Sequence, residues 1–118
     1  MMSVVLVIED DPDIRALMTH RIAEPGIEVI SAGTGEQGLG LAASRRPDLI
    51  VLDIRLPGIS GWQVIERLNS DDELKDIPVL IASIVDPADE PNDTVRVHLV
   101  KPFPRGQLEA AVKEALGS

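Results

Sequence analysis

The sequence predicts an α/β fold, a doubly wound parallel sheet of five strands with helices on both faces. Short apolar runs rich in β-branched residues alternate along the chain with stretches whose apolar residues recur every three to four positions. Most of these runs are continuously apolar, which is typical of strands buried on both faces. A chain of 118 residues, 44% of them hydrophobic, suffices for one domain with a buried core.

The first half of the chain contains three predicted strands and two predicted helices. The strands cover residues 4–8, 27–31 and 48–53. The first helix begins with Asp11 as N-cap and Pro12 in its first turn, and the pair Pro25-Gly26 ends it. The second helix covers residues 35–46 and stops before a proline.

The second half continues the alternation. Two further helices and two further strands follow the loop "LPGISG". The predicted helices cover residues 62–69 and 107–116, and the predicted strands cover residues 78–83 and 94–100. The last strand alternates apolar and polar residues, which is typical of the edge of a sheet.

Composition excludes several classes of protein. Twenty acidic against eleven basic residues give a net charge of -9, which disfavours binding to the phosphates of DNA or RNA. The absence of cysteine excludes disulfides, thiol nucleophiles and zinc–thiolate sites. No signal peptide or membrane-length apolar run is present. We therefore expect a cytoplasmic protein that binds neither nucleic acid nor membranes.

Polar side chains follow four of the predicted strands. Asp10 and Asp11 follow the first strand, Asp53 ends the third, Ser83 ends the fourth and Lys101 follows the fifth. Each alone has an ordinary explanation, such as a helix cap, a turn residue or a surface charge. Ligands of open parallel sheets bind at the carboxyl ends of the strands. The shared position therefore predicts one site formed by all five residues.

These residue types favour metal-assisted phosphoryl chemistry. Carboxylates without thiolates suit a hard cation, Mg²⁺ or alternatively Mn²⁺. A carboxylate such as Asp53 can also attack phosphorus and form an aspartyl phosphate. Phosphoryl transfer needs mainly positioning and charge neutralisation, which a metal ion and Lys101 could supply.

The chain resembles the receiver domain of two-component response regulators over essentially its whole length, residues 1–118. The resemblance rests on "EDD" after the first strand, "LDIRLPGISG" around the third, "PVLIAS" as the fourth and "VKPF" after the fifth. It implies strand order 2-1-3-4-5 in a flavodoxin-like, CheY-like three-layer sandwich. It also implies a single receiver domain.

The resemblance implies roles for individual residues. Asp53 corresponds to the phosphoacceptor. Asp10 and Asp11 correspond to the acidic pair, which would hold Mg²⁺ together with Asp53 and the backbone carbonyl of Arg55. Ser83 and Lys101 would contact the phosphoryl group.

Two further roles concern the switch and the backbone. Ser83 and His98 are the switch candidates, since His98 occupies the position of the family's switch aromatic. The peptide bond before Pro102 is expected to be cis.

The segment between the fourth and fifth strands departs from the family pattern. Relatives carry a fourth helix here, but Pro91 would break a helix that started at Pro87 within about one turn. We therefore expect that helix to be short, missing or mobile.

The expected function is that of a phosphoacceptor signalling protein rather than an enzyme, apart from self-phosphorylation and autodephosphorylation. A sensor histidine kinase or a histidine phosphotransfer protein would donate the phosphoryl group to Asp53. The chain ends at Ser118, so we expect it to signal through contacts with a downstream protein, as a monomer or weak homodimer.

Three alternatives remain open. A Mg²⁺-dependent phosphohydrolase with an aspartyl-phosphate intermediate would want a second Asp two residues after the nucleophile, where this chain has Arg55. A flavodoxin-like cofactor binder would want a phosphate-binding loop in place of "EDDPD". A phosphorylation-independent pseudo-receiver would only bind partners.

Overall fold

The computed structural model describes residues 2–83, 95–100 and 107–116, and within them the side chains of residues 2–81 and 108–116. Strands and helices alternate as predicted, with bounds within one residue of those expected. The strands are β1 (Ser3–Ile8), β2 (Ile27–Ala32), β3 (Leu49–Leu52), β4 (Val79–Ser83) and β5 (Val95–Val100). The helices are α1 (Pro12–Ile22), α2 (Gly35–Arg45), α3 (Gly61–Asn69) and α4 (Gln107–Ala115).

The five strands form one parallel sheet in the order β2-β1-β3-β4-β5, which confirms the predicted topology. β1 is central to the site, because its last residue, Ile8, pairs with Ala32 of β2 and with Leu52 of β3. The segment between β4 and β5, where we predict a short, missing or mobile helix, lies outside the described residues. No helix in the described ranges has the length and apolar character that a membrane span requires.

Alternate residues of the central strands separate the core into two clusters. One cluster packs under α2 and α3; its strand residues are Leu6, Ile8, Ile50, Leu52, Val79 and Ile81. The other packs under α1 and α4; its strand residues are Val5, Val7, Leu49, Val51 and Leu80. The continuous apolar runs of β1, β3 and β4 follow from this arrangement, since both faces of these strands are covered.

Side-chain N-caps mark the first turns of α1, α2 and α3, and therefore fix where the loops before these helices end. Asp11 caps α1, Thr34 caps α2 and Ser60 caps α3. At α3 the cap is reciprocal: Ser60 Oγ accepts from the Gln63 N–H at 3.3 Å, and the Ser60 N–H donates to Gln63 Oε1 at 2.8 Å. Arg46 ends α2 in the left-handed conformation, with φ 44°.

Candidate functional site

The carboxyl ends of β1 and β3 lie side by side and present the site residues. The N–H of Asp53 donates to the carbonyl oxygen of Ile8 at 3.0 Å. The N–H of Glu9 donates to the carbonyl oxygen of Ala32 at 3.1 Å. Glu9 and Asp53 are therefore the first residues beyond their strands, and the ends of neighbouring strands hold their backbones.

Three carboxylates converge at this edge of the sheet. One carboxylate oxygen from each of Glu9, Asp10 and Asp53 lies within 4.8 Å of the others. The three side chains differ in burial: Glu9 is 1% exposed and Asp53 is 8% exposed, whereas Asp10 is open to solvent. We call these three residues the acidic cluster. Of these three side chains, that of Asp10 is the most exposed to water.

Asp11 lies beside the acidic cluster and caps α1. Its Oδ1 accepts hydrogen bonds from the N–H groups of Asp13 and Ile14 at 2.9 and 3.1 Å. Its own N–H points to Glu9 Oε2 at 3.4 Å. The acidic pair expected from the sequence is Asp10 and Asp11, whereas the structure brings Glu9 rather than Asp11 together with Asp10 and Asp53. The physical reason is that the Asp11 carboxylate satisfies the first N–H groups of the helix.

A sequence signal for Glu9 was present. An aspartate directly before a proline that starts a helix is occupied as an N-cap, so the acidic residues next to the strand are the ones left for a ligand. The sequence predicts both a cap and a metal ligand at Asp11; the hydrogen bonds confirm the cap, and the ligand role stays a prediction.

The loop after β3 fixes the Asp53 side chain. The N–H of Arg55 donates to Asp53 Oδ1 at 3.1 Å. Gly61, the first residue of α3, packs against the backbone of this loop and donates its N–H to the carbonyl oxygen of Ile54 at 2.8 Å. A Cβ at Gly61 would lie 2.6 Å from Ile54 Cα, so only glycine fits there without a shift of the backbone.

The remaining predicted site residues can be located only in part. Ser83 is the last residue of β4 and pairs with Val100, which places its backbone at the same edge of the sheet. His98 lies within β5 and pairs with Ile81. The side chains of Ser83 and His98, and all of Lys101 and Pro102, lie outside the described residues.

The donor set of the acidic cluster fits a hard divalent cation. Three carboxylate oxygens within 4.8 Å match the oxygen ligands that Mg²⁺ and Mn²⁺ take. Like charges this close repel each other, and a divalent cation between them would add attractions that outweigh that repulsion.

Comparison with known proteins identifies the family. The profile of the response regulator receiver domain matches residues 5–113. RpaA of Synechocystis, named a DNA-binding dual master transcriptional regulator, is 35% identical over 116 residues, which is 95% of this chain and 48% of RpaA. PilH of Pseudomonas aeruginosa is 33% identical over 85 residues, which is 72% of this chain and 70% of PilH.

Solved structures give the same assignment. The response regulator TrrA of Thermotoga maritima, solved in complex with Mg(2+)-BeF, superimposes with a TM-score of 0.86 at 31% identity and covers 97% of this chain and 99% of TrrA. The chemotaxis response regulator CheY4 of Vibrio cholerae superimposes with a TM-score of 0.88 at 26% identity, covering 98% of this chain and 99% of CheY4.

The chain spans about half the length of the transcriptional regulators it matches. The DNA binding named for RpaA is therefore a statement about RpaA, and the predicted absence of nucleic-acid binding here stays a prediction. The matched profile, the sheet order and the carboxylates at the ends of β1 and β3 agree. The chain belongs to the response regulator receiver domain family.

Proposed function

We propose that Asp53 accepts a phosphoryl group from a phosphohistidine of a sensor histidine kinase or of a histidine phosphotransfer protein. The observation that carries the proposal is the acidic cluster: Asp53 is nearly buried, and the carboxylates of Glu9 and Asp10 lie within 4.8 Å of it. Receiver domains interact with histidine kinases and with downstream targets. In this proposal, a phosphate on Asp53 alters the surface that a downstream target binds.

The attacking group in the proposed chemical step is a carboxylate oxygen of Asp53. Oδ1 is held by the N–H of Arg55 at 3.1 Å. A carboxylate oxygen would attack phosphorus, an O–P bond would form, and the bond from phosphorus to the imidazole nitrogen would break. The electron pair of the broken bond stays on the imidazole nitrogen, so that no other reactant is consumed.

The metal ligands in this proposal are the carboxylates of Glu9, Asp10 and Asp53 and the backbone carbonyl of Arg55. Asp11 would contribute through the α1 cap that positions the loop, and through water. When bound, Mg²⁺ would neutralise the carboxylates and polarise the phosphoryl oxygens.

Other roles follow the resemblance. We propose that Ser83 and Lys101 contact the phosphoryl oxygens, that Ser83 and His98 take part in the switch, and that the peptide bond before Pro102 is cis. The chain would act in the cytoplasm as a single receiver domain, as a monomer or weak homodimer. Its own catalysis would be limited to self-phosphorylation and autodephosphorylation.

Intact mass spectrometry after incubation with Mg²⁺ and a small acyl phosphate tests the proposal. We expect a single phosphoryl adduct on the wild type and none on Asp53→Asn. Asp76→Asn is a matched control, because it makes the same change in charge at an exposed carboxylate outside the acidic cluster, and it should be phosphorylated like the wild type. An adduct on Asp53→Asn would place the phosphate elsewhere.

A phosphorylation-independent binding module is the competing function. The wild type would then acquire no adduct from either an acyl phosphate or a phosphorylated histidine phosphotransfer protein. Turnover of many equivalents of a small phosphate ester would instead support the phosphohydrolase alternative.

A further inference from the structure

We infer that Arg15 is a positioning residue for the acidic cluster: its guanidinium orients the loop that carries Glu9 and Asp10, and thereby sets the affinity of the cluster for Mg²⁺. The inference rests on the proposed function, because it assumes that the cluster binds a divalent cation. It adds a residue that touches neither the metal ion nor the phosphoryl group.

The contact that carries the inference joins α1 to the site loop. Arg15 Nη1 donates a 2.9 Å hydrogen bond to the backbone carbonyl oxygen of Glu9. The N–H of Glu9 donates to the carbonyl oxygen of Ala32, in β2, at 3.1 Å. Both backbone groups of Glu9 are thus fixed, one by the sheet and the other by a charged side chain. A hydrogen bond with a charged donor is shorter and stronger than one between neutral groups.

The geometry of the peptide unit explains why this bond matters for two ligands at once. The carbonyl of Glu9 belongs to the planar peptide unit that continues to Asp10. A donor that fixes this carbonyl therefore fixes the rotation of the whole unit, including the Cα atoms of Glu9 and Asp10. The directions of both side chains depend on that rotation, and both contribute oxygens to the cluster.

A glycine provides the space for the guanidinium. A Cβ at Gly33, in the loop after β2, would lie 3.0 Å from Arg15 Nη1. The Gly33 backbone is itself fixed, because its N–H donates to Gln37 Oε1 at 3.0 Å. The Arg15 side chain therefore passes between two defined segments of chain. A methyl group at residue 33 would displace it by a few tenths of an ångström.

Calorimetric titration of Mg²⁺ into four variants tests the inference. Arg15→Met keeps the aliphatic stem but removes the donors, and we expect about tenfold weaker binding, the low end for a residue that orients ligands. Arg21→Met removes the same charge from the same helix and should bind like the wild type. Arg15→Lys, which keeps the charge and one possible donor, should lie between them. Gly33→Ala should weaken binding less than Arg15→Met.

A second readout separates positioning from general loss of structure. At saturating Mg²⁺, the Arg15→Met variant should acquire as much phosphoryl adduct on Asp53 as the wild type. Only the Mg²⁺ concentration that gives half of the maximal yield should increase. A protein that had merely lost part of its fold would instead give a lower maximum at every Mg²⁺ concentration. If Arg15→Met does not fold, Gly33→Ala carries the same test.

The outcomes distinguish the two proposals. Wild-type protein that binds no Mg²⁺ overturns the proposed function, and the present inference with it. Wild-type protein that binds Mg²⁺ while Arg15→Met binds within twofold of it overturns the inference alone. Equal weakening by Arg21→Met also overturns the inference, since the effect would then be one of net charge.

Discussion

Gly61 and Asp53 are in close backbone contact: a Cβ at Gly61 would lie 2.7 Å from the carbonyl oxygen of Asp53. The first residue of α3 therefore rests directly on the peptide that carries the proposed phosphoacceptor. The helix N-terminus and the end of β3 form one rigid corner, and its geometry depends on the absence of a side chain.

Gly61→Ala should destabilise the protein and disturb the site. The added methyl group meets backbone atoms, which cannot rotate away, so we expect a loss of about 2 kcal/mol in urea denaturation. Gly40→Ala is the matched control: it lies in α2, and a Cβ there meets nothing within 4 Å. That control should gain about 0.5 kcal/mol, because alanine is the better helix former. Equal effects of the two substitutions would contradict the close contact at Gly61.

Ser60→Ala should loosen the start of α3. The substitution removes the Oγ that accepts from the Gln63 N–H at 3.3 Å, and loss of such a cap costs about 1 kcal/mol. Hydrogen exchange of the Gln63 amide should become faster. Ser70→Ala, at the other end of the same helix, removes a hydroxyl that donates to the Glu66 carbonyl at 2.9 Å and should leave exchange at residue 63 unchanged.

Asp10→Asn should stabilise the metal-free protein and weaken its response to Mg²⁺. Removal of one charge from three close carboxylates relieves repulsion, and we expect the Tm without metal to rise by about 2 °C. Added Mg²⁺ should then raise the Tm of the variant less than that of the wild type, since a ligand that binds more weakly stabilises the folded state less at the same concentration. Differential scanning calorimetry in EDTA measures the Tm without metal, and the same experiment in Mg²⁺ measures the increase in Tm on metal binding. A lower Tm of the variant in EDTA would show that the cluster is not repulsive.

Arg46→Gly should stabilise the protein despite the loss of an ion pair. Arg46 adopts φ 44°, which costs a residue with a side chain roughly 1–2 kcal/mol of steric strain, whereas glycine has no such strain and loses only more conformational entropy on folding. Its 2.7 Å pair with Glu73 is solvent-exposed, and such pairs contribute about 0.2–1 kcal/mol. We therefore expect a net gain of about 0.5 kcal/mol in chemical denaturation. Glu73→Gln breaks the pair alone; a loss above 1 kcal/mol there would reverse the prediction for Arg46→Gly.

Most of the fold could be predicted from the sequence, because the apolar runs and the turn residues act locally. The Asp11-Pro12 cap marked the start of α1, and "DLIVLD" marked β3 within one residue at each end. The strand order came from the resemblance to the family. Alternation of strands and helices does not decide which strands are neighbours.

The site was less predictable than the fold. Asp10 and Asp53 were identified, and they lie together. Glu9 was missed because three acidic residues in a row leave open which one caps the helix and which one faces the neighbouring strand. The contact between Arg15 and the Glu9 carbonyl could not be predicted either, because a side-chain bond to a backbone group leaves no pattern in residue types.

The division of the core into two clusters means that substitutions on one face of the sheet change the packing of a different set of side chains from those on the other face. Ile50, Leu52 and Ile81 pack with α2 and α3, whereas Leu49, Val51 and Leu80 pack with α1 and α4. Residues that share no contacts have nearly additive effects on stability. We therefore expect substitutions in the parts of the two clusters that lie far from the shared strands to have nearly additive effects on stability. The carboxylates of Glu9 and Asp53 directly follow β1 and β3, which contribute residues to both clusters, so a change in packing on either face of the sheet could move the acidic cluster.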